Sequence, residues 1–205
     1  LRADAVVTDV GSTKGSVVAV ARAELGAHFA RFVPGHPIAG RERPGVESSE
    51  PRLFEGKLFI ATPVAETDPA ATARVEKLWQ RVGARVERMD AQEHDRVFAA
   101  VSHLPHLLAF ALVAQIAREE DADRKLGKAG AGFRDFTRIA ASSPRMWRDI
   151  CMANRDALTV ELRGYRALLD ELQAALDAGD GDALEAVFRA AAECRRMHAP
   201  RLDAE

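Results

Sequence analysis

Lys57-Leu58-Phe59-Ile60-Ala61-Thr62-Pro63, then Asp68-Pro69 and a helical pattern from Ala70 to Val82, then Ala84-Arg85-Val86-Glu87-Arg88-Met89 decide the fold class. The first run is short, apolar and closed by Pro63, as a buried strand should be. Asp68 can accept amide hydrogen bonds at a helix start, and Pro69 suits the first helical turn because its missing N–H has no partner to lose. The last run reads as a second short strand. A strand, a crossover helix and a strand in about thirty residues form a βαβ unit, and such units build parallel sheets.

The pattern continues toward the start of the chain. Ala5-Val6-Val7-Thr8-Asp9-Val10 reads as a buried strand, followed by a Gly-Ser turn and a helix from Ser16 to Leu25. Phe32 and Val33 read as a strand end stopped by Pro34-Gly35, and a loop rich in Gly, Pro and Ser runs to Pro51. From Asp90 onward the strand signal stops. Ala91 to Arg118 is one helical pattern, apolar nearly all round from Val97 to Ala117, with Pro105 expected to kink it. Phe133 to Ile139 reads as a glycine-preceded loop or helix start, and Ser143-Pro144 opens another helix. Leu158, Leu162, Tyr165, Leu169, Leu172 and Leu176 recur at four- and three-residue steps, a stripe that wants a partner helix. Gly179-Asp180-Gly181-Asp182 turns the chain into a final helix, so a helical hairpin is expected. The architecture is therefore α/β plus all-α, with the α/β part over residues 1–89 and the helical part over 90–205.

Bulk properties narrow the function. Hydrophobic residues make up 47% and charged residues 29%, enough for a real core. The formal net charge of -2 gives no footprint for nucleic acid or an anionic membrane. No apolar run reads as long and charge-free enough to span a bilayer. Cys151 and Cys194 form no disulfide framework, which favours a reducing, cytoplasmic setting.

Four polar clusters carry candidate chemistry. Asp9-Val10-Gly11-Ser12-Thr13-Lys14-Gly15 sits at a strand's carboxyl end, where parallel sheets bind ligands. There Gly11 permits close approach, and Ser12 or Thr13 alternatively just caps the next helix. Gly35-His36-Pro37-Ile38-Ala39-Gly40, followed by Arg41, Glu42 and Arg43, holds a histidine suited to acid–base work, or else a loop histidine in solvent. Ser102-His103-Leu104-Pro105-His106 lies on the apolar helix, where each buried polar group needs a partner or a ligand. With Glu93, His94 or Asp95 a turn or two earlier a metal site is conceivable, but no ligand spacing is complete, and none is expected. Gly130-Ala131-Gly132-Phe133-Arg134-Asp135-Phe136-Thr137-Arg138-Ile139 offers two guanidiniums able to grip a carboxylate, or a surface ion pair with Asp135.

Taken together and in this order, these four motifs resemble the prephenate/arogenate (cyclohexadienyl) dehydrogenase family, and Ser143-Pro144, Met146-Trp147 and Asp149-Ile150 add to the likeness. The resemblance implies the C-terminal part of a Rossmann-like dinucleotide-binding domain followed by an all-helical domain that binds substrate and forms a homodimer. It implies NAD- or NADP-dependent oxidative decarboxylation of prephenate to 4-hydroxyphenylpyruvate, or of arogenate to tyrosine. By resemblance His36 is the catalytic histidine that accepts the ring-hydroxyl proton, and Ser12 bonds that hydroxyl. Arg138 holds the ring carboxylate, and His106 is a substrate-side histidine supported by His103, Arg134 and Trp147. Glu42 is an acid near the entrance, and Gly11 and Ser12 border the cofactor. The glycine-rich pyrophosphate fingerprint is not among these residues, so the chain is expected to begin part-way through the nucleotide-binding domain. No room for a regulatory domain is expected after the helices. An inactive, dimerising fragment of such an enzyme is the alternative reading. A different two-domain hydroxyacid dehydrogenase would not explain His103-Leu104-Pro105-His106 or Phe136-Thr137-Arg138-Ile139.

Overall fold

The computed structural model describes residues 1–2, 4–40 and 45–202. These fall into two compact units, Leu1–Leu158 and Thr159–Glu205. In the first unit, strand β1 (Val7–Thr8) pairs in parallel with β2 (Phe32–Val33). Strands β3 (Gly35–Ile38), β4 (Leu58–Ala61) and β5 (Arg85–Arg88) form a second sheet in that order. Helix α1 (Gly15–Glu24) follows β1, and α2 (Pro69–Arg81) makes the crossover from β4 to the parallel β5. The Asp68 carboxylate caps α2 by accepting from the Ala70 amide at 2.8 Å, as its sequence position implies.

Two features of the strands depart from the sequence reading. The segment after Pro34 is a strand where a loop was expected, and it runs antiparallel to β4, with His36 opposite Ile60. Among the described residues β3 pairs with β4 alone, so its other edge is open and Pro37 forfeits no ladder bond there. Gly35 makes the pairing possible: a Cβ at this position would lie 2.2 Å from Phe59 Cζ. Phe59 is fully buried and stacks on Trp79 with ring centroids 4.3 Å apart. Around that stack pack Val33, Ala61, Ala71, Val75 and Ala84, the core of the α/β layer. Strand β1 is also shorter than expected, two residues in place of six, in register with the two residues of β2.

The long apolar helix is built in three pieces: α3 (Ala91–Phe98), a π turn over Ala99–His103, and α4 (Leu104–Ala117). Pro105 has no N–H to donate and its ring crowds the carbonyl four residues back. The helix responds by widening, and the Leu104 amide reaches back five residues to the Ala99 carbonyl. The expected kink is thus a π turn just before the proline. By length and composition alone the helix Ala91–Ala117 is apolar enough to cross a membrane, which corrects the reading that no run was.

The first unit is completed by α5 (Ala122–Leu126), which the sequence did not suggest, α6 (Ala131–Thr137), α7 (Pro144–Ala153) and the start of α8 (Arg155–Ala178). Ser143 caps α7 through the Met146 amide. The second unit holds the rest of α8 and α9 (Gly181–Leu202). Gly179, at φ +66°, makes the turn, and Asp180 caps α9 by accepting from the Ala183 amide at 2.9 Å. Within this unit Leu169, Leu176, Phe188 and Met197 are exposed.

Candidate active site

A cavity of about 370 Å³ opens inside the first unit. Ser12 and His36 line it from the ends of β1 and β3, with Pro37 to Gly40 beyond them. Ser102 and His106 line it from the π turn and α4. Arg138, Met146 and Trp147 line it from the segment after α6 and from α7. All four polar clusters quoted above therefore contribute to one cavity: Ser12 from the first, His36 to Gly40 from the second, Ser102 and His106 from the third, and Arg138 with Ile139 from the fourth.

Local chemistry fixes each group. His106 Nδ1–H donates to the Ser102 carbonyl at 2.9 Å, so its Nε2 is left as an acceptor. The ring stacks on the buried Trp147 at 3.6 Å between centroids. Burial holds its pKa below the ordinary histidine value, and the positive charge of Arg138 acts in the same sense. Trp147 Nε1 is buried without a partner. Arg138 is exposed on the cavity's rim. His36 is half-buried, and burial, reinforced by His94, Lys14 and His103, pushes its pKa down to about 3. It is therefore neutral at any physiological pH, with one ring nitrogen always available as an acceptor.

Behind the cavity lies a polar lattice. Lys14 is wholly buried, and its ammonium meets the Asp9 carboxylate and donates to the Gly35 carbonyl at 2.6 Å. Asp9 also accepts from the amides of Gly11 at 2.8 Å and Gly35 at 3.0 Å. The loop carrying Ser12 is thus tied to the strand carrying His36. Asp95, on α3, accepts from the Lys14 amide and the Gly15 amide, each at 2.8 Å, and so caps α1 from a distance. It also accepts from His94 Nδ1–H at 2.9 Å. His94 Nε2 lies 2.9 Å from His36 Nδ1. His103 is buried: Asn154 donates to its Nδ1 at 3.1 Å and to the Asp95 carbonyl at 2.7 Å, and the ring also bonds the Ser12 backbone. Burial lowers its pKa to about 4.

The expected residues divide accordingly. Ser12, His36, His106, Arg138 and Trp147 come together at the cavity. His103 stands one layer behind, holding the Ser12 loop. Gly11 is in that loop, where a Cβ would come 2.9 Å from Asp9 Oδ2. Arg134 lies outside the lining, its guanidinium donating to the Ala129 carbonyl at 3.3 Å. Arg41 and Glu42 lie outside the described residues. Sequence reasoning missed Lys14, Asp95 and Asn154 as organisers of the site, and treated His94 only as a possible metal ligand. Among the described residues no three His, Cys, Asp or Glu side chains converge as a metal-binding group. A helix-facing cue existed for His94-Asp95, since a histidine and a carboxylate in the first turns of an apolar helix need partners. Its partners are 58 and 81 residues away in the chain.

Comparison with known proteins agrees with this architecture. Residues 1–88 match the family model for the prephenate dehydrogenase nucleotide-binding domain, and residues 90–190 that for the prephenate dehydrogenase dimerization domain. A cyclohexadienyl dehydrogenase of Zymomonas mobilis is 36% identical over 95% of the chain, which spans 67% of that protein. A prephenate dehydrogenase of Bacillus subtilis is 37% identical over 93% of the chain, which spans about half, 51%, of its length. Among solved structures, prephenate dehydrogenase from A. aeolicus in complex with hydroxyphenyl propionate and NAD+ superposes with a TM-score of 0.83. It is 40% identical, with 96% of this chain and 68% of that one covered. Synechocystis arogenate dehydrogenase gives a TM-score of 0.77 at 30% identity over 95% and 69% of the two chains. With both domain models matched in order across residues 1–190, and relatives this similar, the chain belongs to the prephenate dehydrogenase family.

Proposed function

We propose that the protein to which this chain belongs is an NAD(P)-dependent dehydrogenase that oxidises prephenate, arogenate or both. The ring carboxylate leaves as carbon dioxide, and the product is 4-hydroxyphenylpyruvate or tyrosine. The observation that carries the reading is the cavity lined together by a neutral imidazole, a serine and a guanidinium: His36, Ser12 and Arg138. The neighbour from A. aeolicus holds hydroxyphenyl propionate and NAD+, a phenolic carboxylate and a nicotinamide cofactor, which supports the same pairing of ligands here.

The residues present suit a nicotinamide cofactor. Gly11 and Ser12 lie at the carboxyl end of β1, where such sheets receive ligands. At the carboxyl end of β4, Thr62 Oγ1 is buried without a partner, a polar atom suited to a carboxamide edge. Gly11 and Ser12 would border the cofactor, which when bound supplies the acceptor for a hydride. The chain's own groups do the rest. His36 Nε2 accepts the proton of the ring hydroxyl, and the Ser12 hydroxyl bonds the same oxygen and orients it. Arg138 holds the ring carboxylate through its planar, cationic guanidinium, so the carboxylate stays oriented while the imidazole takes the proton. His106, offering Nε2 and braced by Trp147, lines the substrate's other side, with His103, Arg134 and Glu42 in supporting roles.

This reading divides the chain at Met89/Asp90 into nucleotide-binding and helical parts. Helix Ala91–Ala117 is a core helix in it, since it carries the polar groups His94, His103 and His106 that organise the site. The protein acts as a homodimer in the cytoplasm, without a metal, nucleic acid or membrane partner. Prephenate and arogenate, each with NAD+ and with NADP+, supplied to the full-length protein while absorbance of the reduced cofactor is followed, test it. Turnover in at least one of the four combinations is expected, and none in any would overturn it.

A further inference from the structure

His94 is wholly buried, is not part of the cavity lining, and has both ring nitrogens engaged. A carboxylate only accepts, so the bond of 2.9 Å to Asp95 Oδ1 places a hydrogen on His94 Nδ1. A neutral His94 then has a bare Nε2, which accepts from His36 Nδ1–H at 2.9 Å. His36 must therefore present an unprotonated Nε2. The three side chains form one line, Asp95–His94–His36, and only its last member lines the cavity.

Charge placement gives the line a further role. The groups around His36 are His94 and Asp95 from α3, Lys14 from the turn into α1, and His103 from the π turn. Arg138 and His106 are across the cavity. Burial and the Lys14 ammonium oppose a positive charge on His36. Asp9 does little to relieve this, because it is occupied by Lys14 and by the amides of Gly11 and Gly35. Asp95 is the carboxylate on this line, and it touches His94, not His36.

We infer that His94, backed by Asp95, is the second imidazole of a proton relay: as His36 Nε2 takes the substrate's hydroxyl proton, His36 Nδ1–H passes to His94 Nε2. One O–H and one Nδ1–H bond break, one Nε2–H bond forms on each ring, and no electrons change hands. The cation comes to rest on His94 beside Asp95, and His36 stays neutral throughout. His94 is thus a positioning and relay residue that acts through His36; the inference rests on His36 being the acceptor in the reaction proposed above. Asp95 is held for this task by the Lys14 and Gly15 amides, so the relay is anchored to the same loop that carries Ser12.

The test is His94→Gln in the full-length enzyme. The glutamine carbonyl accepts from His36 Nδ1–H and keeps the ring oriented, but it cannot take the proton. Single-turnover rates should fall roughly 10²-fold with substrate KM and cofactor Kd unchanged. In mixtures of light and heavy water, the wild-type rate should curve with deuterium fraction, as two moving protons require, and the variant's should be linear. Nitrogen NMR of the wild-type protein, which needs no turnover, should show His36 protonated at Nδ1 and bare at Nε2. An undiminished His94→Gln rate, a linear wild-type plot, or the opposite His36 tautomer would each overturn the relay. If the variant does not fold, the two wild-type measurements decide alone. Absence of wild-type turnover with every substrate and cofactor pairing would overturn the functional reading and the relay together. Normal wild-type turnover with an unaffected variant would remove only the relay.

Discussion

Asp95→Asn isolates the joint on which the site is assembled. The carboxylate receives three hydrogen bonds, two at Oδ1 from the Lys14 amide and His94 Nδ1, and one at Oδ2 from the Gly15 amide. An asparagine has one acceptor oxygen. Placed at Oδ1, it keeps two bonds but turns its amino group toward the Gly15 N–H, and the flipped amide loses the other two. The better choice forfeits one charge-assisted bond, about 1.5–3 kcal/mol, and weakens two others by roughly 1 kcal/mol each as the charge disappears. Relief of the carboxylate's desolvation and water at the exposed Gly15 amide offset part of this. The expected cost is about 3 kcal/mol, or roughly 6–12 °C in Tm for a chain of this size. Urea and thermal unfolding followed by tryptophan fluorescence measure it, because both tryptophans, Trp79 and Trp147, lie in the Leu1–Leu158 unit. The pH dependence adds a second check. The His94 bond and the two amides hold the Asp95 pKa below its usual range, against burial, which raises it. A depressed carboxylate contributes stability that is complete above its unfolded pKa, about 3.9, and is lost as pH falls through the folded value. The gap between wild type and variant should be constant from neutrality down to about pH 4 and close below it. A cost under about 1 kcal/mol, or a gap that persists in strong acid, would refute the reasoning.

Other substitutions test neighbouring links. Gly35→Ala drives a methyl into Phe59 and the Trp79 stack, so it should destabilise by about 1–3 kcal/mol and lower activity by displacing His36; a wild-type melting curve would show that the strands do not meet as described. Trp147→Phe has no indole hydrogen bond to lose and keeps an aromatic ring against His106, so its stability should change by less than about 1.5 kcal/mol, whereas Trp147→Ala should cost about 3–5 kcal/mol; equal costs in calorimetry would contradict this. Arg138→Gln should chiefly raise the KM for prephenate or arogenate, by an amount equivalent to roughly 1.5–3 kcal/mol; an unchanged KM in steady-state assays would remove Arg138 from the substrate carboxylate.

Local patterns made much of this legible. The βαβ unit from Leu58 to Arg88 was readable because Asp68-Pro69 caps its helix and both strands are short and bounded. Most of the helical part was readable from the long apolar stretch, the Ser143-Pro144 start and the leucine stripe, but α5 was not. Strand β3 was not, because Gly35 and Pro37 signal a loop locally, and only pairing with β4 and close packing on Phe59 make it a strand. The four motifs pointed to His36, Ser12, His106 and Arg138 only through the family they resemble, since each cluster read singly also had a bland alternative. The lattice behind them was hidden. Lys14 stood out only as part of its cluster, Asp95 only as a conceivable metal ligand, and Asn154 in no cluster. Their roles depend on contacts between elements tens of residues apart, which no spacing rule encodes. The π turn had a local cause in Pro105, but whether a proline kinks a helix or widens it is decided by the packing around it.

The central claim is that the cavity around His36 is where a substrate hydroxyl is deprotonated and oxidised. The direct measurement is kcat and KM of full-length wild type and His36→Gln with the preferred substrate and cofactor. The account predicts a fall in kcat of about 10²–10⁴-fold with little change in KM, because the imidazole acts on a proton that moves only in the transition state. A variant with near wild-type kcat would contradict it.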